Sequence, residues 1–200
     1  MITLKLLDSI QEIEKKINKA SSEVINQRIN KSLQLIKNNV KSIASNYILD
    51  QPEIQSLYGG YLQGAFGKIN APSSAESIRL SVLNSISVVL DKFSPSLKGS
   101  LSVNIQPNDF VNLLSLSQGH TIYQGGDLHW LNWLLTRGDE IIIVDYYYDP
   151  QGGVGRTGLG NMKDGGAFRV PPEFSGTIEN NFITRALTND SIIKDINSII

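Results

Sequence analysis

Between Ser9 and about Tyr47 the chain carries a helical hydrophobic period that neither glycine nor proline interrupts. Ile10, Ile13, Ile17, Ala20 and Val24 step by three and four; after a phase shift Ile25, Ile29, Leu33, Ile36, Val40, Ile43 and Tyr47 do the same. Ser9 followed by Glu12 forms a capping box, which satisfies free backbone N–H groups of the first turn. Such a helix is roughly 60 Å long at about 1.5 Å per residue, more than the body of a domain of this size can cover. Part of the stripe is therefore expected to pack on another subunit, with Ile29 and Ile36 as interface positions. The second half carries Arg28, Lys31, Lys37 and Lys41 with no acid between Val24 and Leu49. That face is either solvated or lines a passage for nucleic acid.

Pro52 ends the helix, because it holds Gln51 away from helical angles. In the segment from Pro52 to Lys68, Leu57, Tyr61, Leu62 and Phe66 keep helical intervals, while Gly59, Gly60, Gly64 and Gly67 thin the surface for close backbone approach or for a ligand loop. A second helix is expected from about Ala75 to Phe93, with Ile78, Val82, Ile86, Val89 and Leu90 inward and Ser94-Pro95 as its stop.

After Gly99 the pattern changes to short alternating runs. Ser100 to Gln106 reads as a strand, Phe110 to Leu116 as a strand or a turn of helix, and Gly119 to Tyr123 as a weaker strand. A short helix capped by Asp127 is expected next, with Leu128, Leu131, Leu134 and Leu135 inward and Gly138 closing it. Glu140 to Tyr148 is the strongest strand and is expected to be central. Phe168 to Val170 reads as a returning strand. Thr177 to Leu187, with Thr177 as its cap, and Ser191 to Ile199 read as helices. The whole is an α+β fold: a long N-terminal helix and helical segments on a small antiparallel or mixed sheet. Its helical part spans 1–98 and its sheet-containing part 99–200, within one structural domain.

Chemistry is sparse. The chain has no cysteine, which excludes disulfides, thiol nucleophiles and cysteine-based zinc sites and suits a reducing cytoplasm. Its 200 residues are 40% apolar and 18% charged with a net charge of −1, so there is a core to bury and no global attraction to nucleic acid or acidic membranes. The amino terminus MITLKLLDS is too short in apolar length for a signal peptide, and no run reaches the ~20 apolar residues of a membrane span. No membrane contact is expected. His120 and His129, with Asp127 nearby, match no familiar ligand spacing and read as structural or surface residues, so no metal is expected. No serine sits in a nucleophile elbow, and no catalytic residue is assigned.

Gly153, Gly155 and Gly158 satisfy G-x-G-x-x-G, and Asp145 ends an apolar strand, so a nucleotide-dependent enzyme using Gly153 to Gly160 is the competing reading. The context opposes it: Asp164-Gly165-Gly166 and Pro171-Pro172 follow where a phosphate-facing helix is required, and no Walker lysine is present. A loop that meets a neighbour through Arg156 and Lys163 is the other reading, and no cofactor is assigned. Trp130 and Trp133 share part of a helix face, either as core, as interface anchors, or in the pocket of a small-molecule binding module.

Three segments carry a likeness: P-E-I-x-S-L-x-G-G-x-L-x-x-x-F-G from Pro52 to Gly67, G-G-x-L-x-W-L-x-W-L-L from Gly125 to Leu135, and R-V-P-P-E-F-S-G-T-I-x-N-N-F-I-T-R-A from Arg169 to Ala186. With the long N-terminal helix they resemble virion structural proteins of tailed bacteriophages, nearest to small neck, head-to-tail connector or tail-completion proteins of contractile-tailed phages. The resemblance implies a non-enzymatic subunit of the virion, assembled in the host cytoplasm. It also implies a homo-oligomeric ring in contact with neighbouring connector or tail proteins, with possible passage of DNA through it. Arg185, in the last segment, is expected to project to solvent or to Glu173 or Glu179 and to serve assembly.

Overall fold

A computed structural model describes residues 7–106, 110–123 and 125–199. The amino-terminal reading given above falls mainly on residues 1–6, outside the described range. The architecture is α+β. Helix α1 (Ile10–Leu49) is followed by α2 (Pro52–Gly59), α3 (Tyr61–Ala65) and α4 (Ala71–Ser85), and then by strands β1 (Ser87–Asp91) and β2 (Ser100–Asn104). The rest comprises α5 (Val111–Leu114), β3 (Thr121–Tyr123), β4 (Gly126–Leu128), α6 (Leu131–Leu135), β5 (Ile143–Asp149), β6 (Asn161–Phe168), α7 (Phe182–Thr188) and α8 (Asp190–Asn197). Among the described residues the strands form three separate antiparallel pairs, β1 with β2, β3 with β4, and β5 with β6.

The chain divides into two compact units: one runs through Asn39 and includes Ser87–Asn104, the other comprises Val40–Ile86 and the chain from Ile105. In the first, the capping box forms as expected, Ser9 N–H and Oγ–H both donating to Glu12 while Glu12 N–H donates to Ser9 Oγ. Asn26 grips the backbone of Phe93 in both directions, its Nδ2 donating to the carbonyl and its Oδ1 accepting from the N–H, each at 2.8 Å. Much of the first apolar stripe of α1 stays uncovered: Ile10 is 82% exposed, Ile17 58% and Val24 48%, while Ile13 is half-buried. Ile29 and Ile36 are half-buried.

The expected helix from Ala75 to Phe93 ends at Ser85, and Val88 to Leu90 lie in β1 instead, with Val89 exposed. The β-branched pair Val88-Val89 finds a partner in Leu101 to Val103, and that ladder overrides the helical period.

The second unit holds the larger core. Val40, Ala44 and Ile48 of α1, Ile54 and Leu57 of α2, and Ile78 and Val82 of α4 are fully or almost fully buried, as are Trp130, Leu134 and Phe182. Pro52 occupies the first turn of α2 behind an extended Gln51 (ψ 137°), as the residue before proline requires. Asp127 is not a helix cap: it lies in β4, and α6 starts from Trp130. Nor is the tyrosine-rich strand central. β5 pairs with β6 alone, and Val144, Tyr146 and Tyr147 remain exposed. Asp145 sits within that strand rather than at its end, at φ 65° where the register slips between Val144 and Tyr146. The returning strand spans Asn161–Phe168, so it starts inside the glycine-rich segment.

The corner after β6 orders as the two prolines dictate. Phe174 N–H donates to Pro171 O at 2.9 Å, and Val170 is 1% exposed. The cap of the following helix is Asn181 rather than Thr177: its Oδ1 accepts from Ile183 and Thr184 N–H at 3.1 and 3.0 Å. Asn181 Nδ2 in turn donates to the carbonyls of Thr177, Ile178 and Leu135, tying α7 to the end of α6. Phe182, Ile183 and Leu187 face inward as expected. No helix among the described residues is long and apolar enough to cross a membrane.

Candidate functional site

The glycine-rich segment joins β5 to β6 and leads directly into a strand, not a helix. No helix N-terminus therefore stands behind Gly153, Gly155 and Gly158 to meet a phosphate. Arg156 anchors the segment to its own chain. Its Nε and Nη2 donate to Gly67 O at 3.1 and 2.8 Å, and Nη1 donates to Ile122 O at 3.4 Å. Lys163 pairs across the hairpin with Asp149, which holds the Asp149 carboxyl below its usual range and raises the lysine. Both side chains named for contact with a neighbour thus already have intramolecular partners.

Beneath the loop lies a groove of about 560 Å³, lined among others by Gly64, Tyr123, Tyr146, Tyr148, Leu159 and Phe168. Tyr148 is 7% exposed and meets Tyr61 edge-on at 4.9 Å. Its hydroxyl occupies the space that a Cβ on Gly64 would need, and this close approach explains the glycine. Burial raises the pKa of the Tyr148 hydroxyl, with a smaller contribution from Asp149. Trp130 does not belong to a pocket: it is fully buried, stacked on Phe66 at 5.2 Å with the Lys68 ammonium 5.7 Å from its ring. Trp133 is half-buried beneath the Arg137 guanidinium at 5.6 Å.

Arg185 is spent inside the fold as well. It pairs with Glu53 on α2, whose side chain is only 1% exposed, and not with Glu173 or Glu179. Desolvation raises the pKa of Glu53 despite the attraction of Arg185, and Glu53 Oε2 is buried with no hydrogen-bond partner. No spacing rule links residues so far apart in the chain, so only tertiary packing reveals this pair.

The most chemically distinctive cluster lies on the short β3–β4 hairpin. Thr121 pairs with Leu128 and Ile122 with Asp127. One residue beyond the ladder on each side, His120 and His129 face each other with ring centroids 3.8 Å apart. Asp127 is two residues from His129 and therefore points to the same face of the strand. Its Oδ2 lies 3.0 Å from His120 Nδ1 and 3.3 Å from His129 Nε2. The three donor atoms all fall within 4.8 Å of one another. The signal available in the sequence was a histidine on each flank of the Gly125-Gly126 pair, with the acid at i−2 from the second. It becomes legible only once hairpin register is assigned. Comparison with protein-family models, curated proteins and solved structures finds no match to this chain.

Proposed function

We propose that the chain is a non-enzymatic structural subunit of a tailed-phage virion, which assembles with copies of itself into a ring at the neck, as a head-to-tail connector or tail-completion protein. The observation that carries the assembly reading is the uncovered stripe of α1, where Ile10, Ile17 and Val24 recur every seven residues and all stand exposed. An apolar seam at that interval is the pattern with which helices pack on one another, and leaving it in water forfeits burial worth about 25 cal/mol per Å². The likeness of the Pro52–Gly67, Gly125–Leu135 and Arg169–Ala186 segments to phage neck proteins supports the place in a particle. Neighbouring connector or tail proteins are the further partners, with possible passage of DNA through the ring.

Size-exclusion chromatography with light scattering tests the assembly reading. The wild type is expected to elute as a defined oligomer, and Ile17→Asp with Val24→Asp as a monomer with an unchanged circular-dichroism spectrum. A monomeric wild type, or a double variant that keeps the wild-type mass, overturns it.

A further inference from the structure

We infer that His120, Asp127 and His129 form a divalent-metal site of the zinc type that clips the β3–β4 hairpin. Three observations converge. The donor set, two imidazole nitrogens and one carboxylate oxygen, is the set that zinc accepts when it keeps one position open. Metal–ligand bonds of about 2.0–2.2 Å place the donors of a tetrahedral ion roughly 3.4 Å apart. The separations of 3.0 and 3.3 Å about Asp127 Oδ2 are close to that edge, and all three donors lie within 4.8 Å of one another; the stacked imidazoles, with centroids 3.8 Å apart, must swing apart by about 1 Å for both to address one ion. Both imidazoles direct a ring nitrogen at the same carboxylate oxygen, which brings three potential ligand atoms to one region.

His120 Nε2 is buried with no hydrogen-bond partner, so the ring meets polar groups only through the Nδ1 edge that faces Asp127. Among the described residues two cations lie against that strand and both are committed elsewhere: Lys68 to the His120 carbonyl at 2.6 Å and the face of Trp130, and Arg156 to the carbonyls of Gly67 and Ile122. Asp127 and His129 are exposed, which leaves an approach from solvent and a fourth position for water.

The site has a structural rationale. The hairpin holds only three residue pairs, and an isolated two-stranded ladder of that length is marginal in water. An ion bound across both strands ties His120 on one to Asp127 and His129 on the other, and it adds binding free energy to folding. The inference is independent of the virion reading, because it concerns one chain and needs no oligomer.

The test uses the full chain without an affinity tag, stripped by chelator and titrated with Zn²⁺ by calorimetry, with Co²⁺ as a visible-absorption probe. Saturable uptake of one ion per chain is expected, together with the intense absorption of tetrahedral Co²⁺ and a higher melting temperature. Asp127→Asn and His129→Ala should each weaken uptake at least about tenfold while the metal-free proteins melt like the metal-free wild type. Absence of saturable binding overturns the inference. So does binding that both variants retain at wild-type strength, since the ion would then sit elsewhere.

Discussion

Removing the guanidinium of Arg185 would leave Glu53 as a buried carboxylate with no cation beside it. Breaking a buried pair in this way costs about 3 kcal/mol, the lower end of its range, because Arg185 itself keeps partial access to water. Arg185→Ala should therefore lower stability in urea melts, whereas a side chain serving assembly from the surface would leave stability unchanged. Glu53→Gln should be far milder, because it removes the charge together with its desolvation cost. The sign of the pH effect follows from the raised pKa of Glu53. A carboxyl whose folded pKa is raised contributes stability below its unfolded value, about 4.3, and loses that contribution as pH climbs through the folded value. Wild type minus Glu53→Gln should thus show a stability difference that declines across that window. A flat difference would mean that Glu53 titrates normally. Residues whose role is set by neighbours in sequence were legible beforehand: the Ser9–Glu12 box and the inward Phe182, Ile183 and Leu187. Roles set by distant partners were not, and Glu53 with Arg185, Arg156 with Gly67, and His120 with His129 all belong to that class.

Elements show the same division. The long helix, the helical segment opened by Pro52 and the Ser100–Asn104 strand follow from periodicity and proline alone. β1 did not, since Ile86, Val89 and Leu90 extend the helical period of α4 while β-branched residues prefer the ladder that β2 supplies. β5 misled through its composition: four successive aliphatics and three tyrosines read as a buried strand, yet the bulge at Asp145 and pairing on one edge leave most of them in water. Two elements can be probed directly. Asn181 caps α7 and also satisfies three carbonyls, so Asn181→Ala should cost roughly 1 to 3 kcal/mol by chemical denaturation, with the loss centred on the α6–α7 junction in hydrogen exchange. Phe182→Ala, one residue on, empties a fully buried ring site and should cost roughly 3 to 5 kcal/mol. A Phe182→Ala protein that melts like wild type would require α7 to be displaced from the core.

For the whole molecule, the exposed seam of α1 links stability to protein concentration. If folded chains associate through Ile10, Ile17 and Val24 while unfolded chains do not, mass action adds stability as concentration rises. A tenfold increase is worth up to about 1.4 kcal/mol per chain, which for a protein of this size raises the melting temperature by roughly 3 to 6 °C. The Ile17→Asp, Val24→Asp protein should show no such rise, because two buried aspartates would oppose the seam while both positions are exposed in the single chain. Half-buried Ile29 and Ile36 provide the contrast. Aspartate there removes contacts within the chain as well, so that pair should lower the melting temperature even at the lowest concentration. Calorimetric melts of the three proteins over a hundredfold concentration range separate the two effects. A wild-type melting temperature independent of concentration would mean that the seam stays in water, and the association proposed for this chain would then need another surface.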